Sequence, residues 1–190
     1  ASETCALDII GAEYERDINP GEVLIVSKHN IQSTYPLLQR PKKFCVFENI
    51  YFSRPDSVYD GEVVYDVRKR IGIELAKESA VETDIVIPVP DSGVPSALGY
   101  AQEAGIPFEM GITRSHYRGR TFIQPEQKIR DLGVKLKHNA LRSMKGKTVT
   151  VIDDSIVRGT TAKKIIKMLN KVGVKEVHVR IASPPVTHSC

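Results

Sequence analysis

Hydrophobic residues change between helical and strand-like spacing several times after residue 60. Over residues 64–75 they recur every three or four positions, which predicts an amphipathic helix. The run DIVIPVP (84–90) predicts a buried strand, and VPSALGYAQEAG (94–105) predicts a helix that ends at Gly105. A further strand is predicted for IPFEMGI (106–112). This region therefore alternates strand and helix.

The last third of the chain continues the alternation. The segment VTVIDDSIVRGTTAKK (149–164) begins as a β-branched strand, passes through two aspartates and a Gly-Thr-Thr sequence, and enters a helix. That helix is predicted to end at Gly173, and EVHVRIA (176–182) predicts another strand. Apolar strands that alternate with amphipathic helices form parallel sheets. We therefore predict an α/β fold, with a parallel sheet, flanking helices and right-handed crossovers.

The first 50 residues lack this regularity. Two β-prone runs, PGEVLIVSKHNIQSTYPL (20–37) and KKFCVFENIYFSRP (42–55), are broken by Pro, Gly or Asn and have no helical period. We predict that both form hairpin-like pieces. The expected organisation is a β-rich appendage at residues 1–50 and a regular domain at residues 51–190.

Composition narrows the class of protein. The 190 residues are 41% hydrophobic and 26% charged, which is typical of a soluble globular chain. The net charge of +4 is too small and too dispersed to indicate a nucleic-acid partner. No apolar run approaches 18 residues and no signal-peptide pattern is present, so neither a membrane span nor secretion is expected. Three widely spaced cysteines fit a reducing, intracellular compartment.

Two adjacent carboxylates, Asp153 and Asp154, carry the clearest chemical information. They follow a strand, and ligands of parallel α/β sheets bind beyond the carboxyl ends of the strands. Gly159, Thr160 and Thr161 come just before a helix, whose free amides and positive end suit a phosphate. A 5-phosphoribosyl group meets both demands, because its diol can donate to a carboxylate and Mg²⁺ can bridge the negative charges.

An isolated Asp-Asp pair also has simpler explanations. The pair can cap a turn while Thr160 or Thr161 caps the helix. An ATP-binding loop is a weaker alternative, because the sequence G-x-x-x-x-G-K-[ST] is absent. The preceding strand, the Gly-Thr-Thr sequence and the α/β context favour the phosphoribosyl ligand.

The segment VIDDSIVRGTT (151–161) resembles the motif with which type I phosphoribosyltransferases bind phosphoribosyl pyrophosphate (PRPP). Residues 2–190 as a whole resemble the glutamine PRPP amidotransferase family, on four motifs in order: IPVPDSGVPSALGYA, YRGRTFIQP, DDSIVRGTT and VRIASPPVTHSC. The resemblance implies the type I phosphoribosyltransferase fold and a role in purine synthesis. The implied reaction is displacement of pyrophosphate from Mg²⁺-bound PRPP by ammonia, which gives 5-phosphoribosylamine.

The resemblance also implies roles for individual residues. The implied PRPP contacts are Asp91, Ser92, Gly93, Asp153, Asp154, Ser155, Arg158, Gly159, Thr160 and Thr161. The implied Mg²⁺ ligands are Ser92, Asp153 and Asp154. The implied catalytic residues are Tyr117, Arg120, Asp153 and Asp154. Tyr117 and Arg120 belong to RSHYRGRTFIQP (114–125), which resembles the mobile loop that closes over PRPP, supplies cations to the departing pyrophosphate and excludes water.

Further features follow from the complete family enzyme, which has an N-terminal glutaminase domain that releases ammonia from glutamine. ASETCALD (1–8) resembles the end of that domain, so this chain is expected to use free ammonia at most, and Cys5 is expected to be a small buried residue. Some family members hold a [4Fe–4S] cluster with four thiolates. Cys45 and Cys190 match two of those ligands, and the resemblance implies a cluster only in the complete protein.

Two other functions stay open at this point. One is a nucleobase phosphoribosyltransferase, and the other is a PRPP-sensing regulator of the same fold that binds nucleic acid, although no concentrated basic surface is apparent. The expected partners are PRPP and ammonia, with purine nucleotides as inhibitors and with neither nucleic acid nor membrane. The complete enzyme is expected to be a cytoplasmic homo-oligomer.

Overall fold

A computed structural model of the chain describes residues 1–114 and 138–187. The N-terminal part holds a short helix, α1 (Cys5–Ile9), and an antiparallel hairpin of β1 (Val23–Val26) and β2 (Ile31–Thr34). The hairpin confirms the prediction for the first β-prone run. Cys5 is buried, as expected.

The prediction for the second β-prone run is wrong, because residues 48–52 form a π-helical turn (Glu48–Phe52). Arg68 lies against the end of this turn and donates hydrogen bonds to the carbonyl oxygens of Asn49 (2.6 Å) and Ser53 (2.8 Å). The rings of Phe47 and Phe52 pack with their centroids 6.3 Å apart. Contacts with a distant helix and within the aromatic cluster thus outweigh the local β-propensity of the run.

The remaining chain follows the predicted alternation. A small hairpin, β3 (Val58–Tyr59) and β4 (Glu62–Val63), leads into α2 (Val64–Ser79), and the elements after it are β5 (Ile85–Pro88), α3 (Val94–Ala104), β6 (Ile112–Arg114), β7 (His138–Ala140), β8 (Thr148–Asp153), α4 (Thr160–Val172) and β9 (Glu176–Ile181). Helices α3 and α4 end at Gly105 and Gly173 as predicted, and both glycines adopt positive φ. Among the described residues, no helix is long and apolar enough to cross a lipid bilayer.

A parallel sheet of strand order β5-β8-β9 forms the centre of the fold, and it confirms the predicted α/β class. The strand predicted for residues 106–112 is mostly wrong. Phe108 makes only a single parallel bridge to Val86, and β6, which begins at Ile112, pairs antiparallel with β7 instead. The β6–β7 pair is a structure that the sequence did not indicate.

The two faces of the sheet bury two separate cores. On one face, Ile87 and Val151 pack with Ile165 and Leu169 of α4. On the other face, Val86 and Ile152 pack with Tyr100 of α3 and with neighbouring small residues of α2 and α3. Alternate residues of each strand therefore face opposite helix layers. The same alternation determines the side of the sheet to which each side chain at the end of β8 points.

Helices α2 and α3 approach each other closely because two glycines lie at their contact. A Cβ atom added to Gly72 would lie 2.6 Å from the carbonyl carbon of Ser96, and one added to Gly99 would lie 3.0 Å from the carbonyl carbon of Lys69. The hydroxyl of Ser96 also donates a buried hydrogen bond of 3.0 Å to the carbonyl oxygen of Arg68. The glycines thus place Arg68 of α2 and the start of α3 at the same edge of the sheet.

Candidate functional site

A cavity of about 910 Å³ lies at the carboxyl edge of the parallel sheet. The loop after β5, the loop after β8 and the first turn of α4 line it on one side, and residues 51–55 line it on another. Nine of the ten residues predicted to bind PRPP line this cavity: Asp91, Ser92, Asp153, Asp154, Ser155, Arg158, Gly159, Thr160 and Thr161. The structure therefore brings two predicted loops, about 60 residues apart in sequence, into one site.

Gly93 is the predicted residue that does not line the cavity. It is buried, and a Cβ atom there would lie 2.7 Å from the carbonyl oxygen of Ile152 and 2.8 Å from that of Val89. Its place in the fold is thus a close packing contact, which lets α3 begin directly against the ends of β5 and β8.

Asp153 ends β8 and Asp154 follows it directly, and both residues are largely buried. Asp153 is 8% exposed and Asp154 is 6% exposed. Their carbonyl oxygens accept hydrogen bonds from the amides of Ala182 (2.9 Å) and Ser183 (2.8 Å), which continue the pairing of β8 with β9. The backbone of the acidic pair is therefore held by the chain that follows β9.

Hydrogen bonds connect the acidic pair to the other predicted loop. The hydroxyl of Ser92 donates to Asp154, and the hydroxyl of Ser155 donates to the second oxygen of the same carboxylate at 2.6 Å. Asp153 accepts a hydrogen bond of 3.0 Å from the amide of Asp154. The two loops thus meet at one carboxylate.

Burial of Asp153, together with the negative charge of Asp154, raises the pKa of the Asp153 carboxyl to about 7. Two neighbouring carboxylates with so little water are stabilised by a cation. Within the described ranges, no group of three or more His, Cys, Asp or Glu side chains converges on a metal site. The available donors are instead two carboxylates and the Ser92 hydroxyl, and such a set of oxygen donors fits Mg²⁺.

The start of α4 lines the cavity with features that suit an anion. Gly159 adopts the left-handed conformation (φ 67°, ψ 0°) directly before the helix begins at Thr160. Thr160 and Thr161 are exposed, and Arg158 precedes them at the same surface. The first amides of a helix have no partners within the helix, so this turn presents donors and a positive dipole end to the cavity.

Three arginines line the cavity wall: Arg54, Arg68 and Arg114. Arg54 and Arg68 were not assigned from sequence, whereas Arg114 is the first residue of the loop predicted to supply cations to the pyrophosphate. Burial lowers the pKa of Arg68, and the nearby charges of Asp154 and Glu3 oppose that effect. Arg54 forms a two-pronged ion pair with Asp56 (3.0 and 2.8 Å). Arg114 pairs with Asp91. The cavity therefore combines buried acids with cations that are already oriented, which suits a ligand with several phosphates.

The remaining predictions for the site concern residues of two kinds. Tyr117, Arg120 and Cys190 lie outside the described residues. Cys45 is exposed and carries a free thiol. The assignments of Tyr117 and Arg120 to catalysis, and of Cys45 and Cys190 to an iron–sulfur cluster, stay predictions.

Comparisons with known proteins agree with this geometry. The profile of the phosphoribosyl transferase domain family matches residues 56–182. Over 97% of its own length, the chain is 56% identical to the amidophosphoribosyltransferase of Rhizobium etli. Over 100% of its own length, it is 58% identical to the chloroplastic amidophosphoribosyltransferase 1 of Arabidopsis thaliana. A solved structure of the B. subtilis glutamine PRPP amidotransferase, complexed with ADP and GMP, superimposes with a TM-score of 0.89 at 50% identity.

These matches confirm the resemblance to the amidotransferases found in the sequence, but the chain spans only part of each relative. It covers 38% of the Rhizobium protein, 34% of the Arabidopsis protein and 42% of the B. subtilis chain. The family profile covers the parallel sheet, α2 to α4 and every described residue of the acidic and anion-binding loops. The chain therefore belongs to the phosphoribosyl transferase domain family.

Proposed function

We propose that this chain is the phosphoribosyltransferase part of an amidophosphoribosyltransferase, which replaces the pyrophosphate of PRPP with ammonia. The observation that carries the proposal is that two buried carboxylates, Asp153 and Asp154, share a cavity with the free N-terminal turn of α4. A ribose 5-phosphate has a diol and a phosphate at its two ends, and the two features match these groups. The high identity to amidophosphoribosyltransferases supports ammonia as the acceptor rather than a nucleobase.

In this proposal, each part of the cavity has one task. The amides and hydroxyls at Gly159, Thr160 and Thr161 bind the 5-phosphate, and the carboxylates of Asp153 and Asp154 accept hydrogen bonds from the ribose hydroxyls. The loop of Asp91 and Ser92 binds the pyrophosphate, on the same wall as the cation of Arg114. The protein thus holds the reacting carbon between fixed groups, which accelerates a displacement without a covalent enzyme intermediate.

The chemistry is a substitution at C1 of the ribose. The bond between C1 and the pyrophosphate oxygen breaks, and its electron pair leaves with pyrophosphate. The lone pair of ammonia forms the new C1–N bond, and the nitrogen then releases one proton to solvent. Ammonia is already a nucleophile, so no general base is needed.

Magnesium is part of the proposal because the donor set suits it. Asp153, Asp154 and Ser92 are the residues that would hold it. When bound, Mg²⁺ neutralises charge on the pyrophosphate and on the acidic pair. Burial and repulsion raise the pKa of Asp153, so a cation held there would favour the ionised form of this carboxyl.

We also propose partners for the complete enzyme. Purine nucleotides share the phosphoribosyl group with PRPP, and the B. subtilis relative is complexed with ADP and GMP, so we propose nucleotide inhibition of the complete enzyme. A glutaminase domain that supplies ammonia, a homo-oligomeric state and an iron–sulfur cluster at Cys45 and Cys190 also belong to the complete enzyme. Its proposed location is the cytoplasm, although the Arabidopsis relative is chloroplastic.

The test is an assay of pyrophosphate release by this chain with PRPP, Mg²⁺ and ammonium. Release that requires ammonium and is lost in Asp153→Asn supports the proposal. The matched control is Asp8→Asn, which changes an exposed aspartate outside the cavity and leaves the rate unchanged. Release with a nucleobase but not with ammonium identifies a nucleobase transferase and contradicts the proposal. Tight binding of nucleic acid without any pyrophosphate release contradicts it as well.

A further inference from the structure

Residues 53–55 form part of the cavity wall, and they belong to no helix or strand. Such a segment keeps its position only through contacts with other parts of the chain. Two side chains supply them. Arg68 holds the wall from α2 through the Ser53 carbonyl. Glu3, near the N-terminus, holds it through the backbone of Arg54.

A single oxygen of the Glu3 carboxylate accepts one hydrogen bond from this segment and one from Ser57, just beyond it. It accepts from the backbone amide of Arg54 at 2.7 Å and from the hydroxyl of Ser57 at 2.8 Å. The neighbouring Thr4 hydroxyl accepts from the amide of Val58 at 2.7 Å. These contacts bridge more than 50 residues of sequence, and Ser57 is fully buried.

The bond to the Arg54 amide matters for the site because Arg54 itself lines the cavity. Its guanidinium is oriented by Asp56, whereas its backbone position is set by Glu3. Fixing both ends of the residue holds a cation on the wall of the cavity that the acidic pair also lines. A cation held in this way needs little reorganisation when an anionic ligand binds.

We infer that Glu3 is a positioning residue for the PRPP site, which it serves by anchoring the backbone of Arg54 in the cavity wall. The N-terminal segment is thereby a structural component of a cavity built mostly from residues after 50. Because this role concerns PRPP binding, it depends on the function proposed above.

The test compares three variants by calorimetric titration with PRPP and Mg²⁺ and by amide hydrogen exchange of residues 53–58. Glu3→Ala removes both hydrogen bonds, so we expect faster exchange in this segment and a Kd for PRPP raised about ten-fold. Glu3→Gln keeps an acceptor oxygen, so its Kd stays within about three-fold of the wild type. Ser57→Ala is the matched control, because it removes a hydrogen bond from the same carboxylate without releasing Arg54. It lowers the melting temperature and leaves the Kd within about two-fold.

The outcomes separate this inference from the proposed function. If the wild-type chain binds PRPP and Glu3→Ala binds it equally well, the role of Glu3 is wrong and the proposed function stands. If Ser57→Ala weakens binding as much as Glu3→Ala, the effect is a general loss of stability and the role of Glu3 is again wrong. If the wild-type chain does not bind PRPP at all, the proposed function is refuted, and this role falls with it.

Discussion

Replacing Gly72 with alanine tests how the two helices behind the site are packed. The added methyl group would lie 2.6 Å from the carbonyl carbon of Ser96 and 2.8 Å from its Cα, whereas ordinary contacts begin near 3.4 Å. The obstacle is backbone, so no side-chain rotation relieves it. Helices α2 and α3 therefore have to move apart.

The expected net effect is a loss of stability, although alanine is the better helix former. The gain in helix propensity is about 1 kcal/mol. Overpacking costs about 1–3 kcal/mol or more of folding free energy. Disturbing the buried hydrogen bond from Ser96 to the Arg68 carbonyl costs about 1–3 kcal/mol in addition. We expect Gly72→Ala to lower the free energy of unfolding by about 2–4 kcal/mol, which for a chain of this size lowers the melting temperature by roughly 5–15 °C.

Urea unfolding followed by circular dichroism measures this change, with Glu78→Ala, an exposed substitution in the same helix, as the control. Gly99→Ala meets the Lys69 backbone at the same helix pair, so both variants push the helices apart in the same way. The double variant should therefore lose less stability than the two single losses added together. A Gly72→Ala protein as stable as the wild type, or strictly additive losses, would refute the close packing described here.

Three further predictions concern the site and the hairpin. Asp153→Asn and Asp154→Asn should each raise the Kd for PRPP about ten-fold or more in calorimetric titration, and unchanged affinity in both would contradict the ribose assignment. Removing Mg²⁺ with EDTA should abolish PRPP binding, whereas equal affinity with EDTA would exclude magnesium from binding. The Arg16 guanidinium, with Ser33 and the Asn19 amide, lowers the pKa of Glu22 to about 2. This carboxylate therefore stabilises the β1–β2 region above its unfolded pKa near 4.5, and the stabilisation is lost as the pH falls toward 2. Protection factors of the hairpin amides should fall between pH 5 and pH 3 in the wild type but not in Glu22→Gln, and parallel behaviour would contradict this ion pair.

The site residues that are neighbours in sequence could be predicted from local chemistry. The conformation of this segment follows from its own sequence, which has a β-branched strand, then two acids, then a glycine before a helix. The structure accordingly places Asp153 to Thr161 together along one cavity. The β8 strand and the ends of α3 and α4 were likewise predictable, because strand propensity and terminal glycines act over a few residues.

The rest depends on contacts between distant parts of the chain, and no local pattern encodes them. Arg68 looks like any charged residue of an amphipathic helix, yet it is buried against the turn at residues 48–52 that the sequence predicted as strand. Glu3 and Arg54 are 51 residues apart, and nothing near either one indicates their hydrogen bond. Gly72 and Gly99 would be read from sequence only as weak points in helices, although their lack of a side chain allows the helices to touch.

The amides of Ala182 and Ser183 donate hydrogen bonds to the backbone of the acidic pair, so the pairing of the strands determines where the acidic pair lies. These hydrogen bonds continue the register in which β9 pairs with β8, so a slip of one residue between the two strands would break both of them and release the backbone of the acidic pair. Insertions or deletions in the turn between α4 and β9, which precedes the first residue of β9, would shift this register and for this reason disturb the acidic pair.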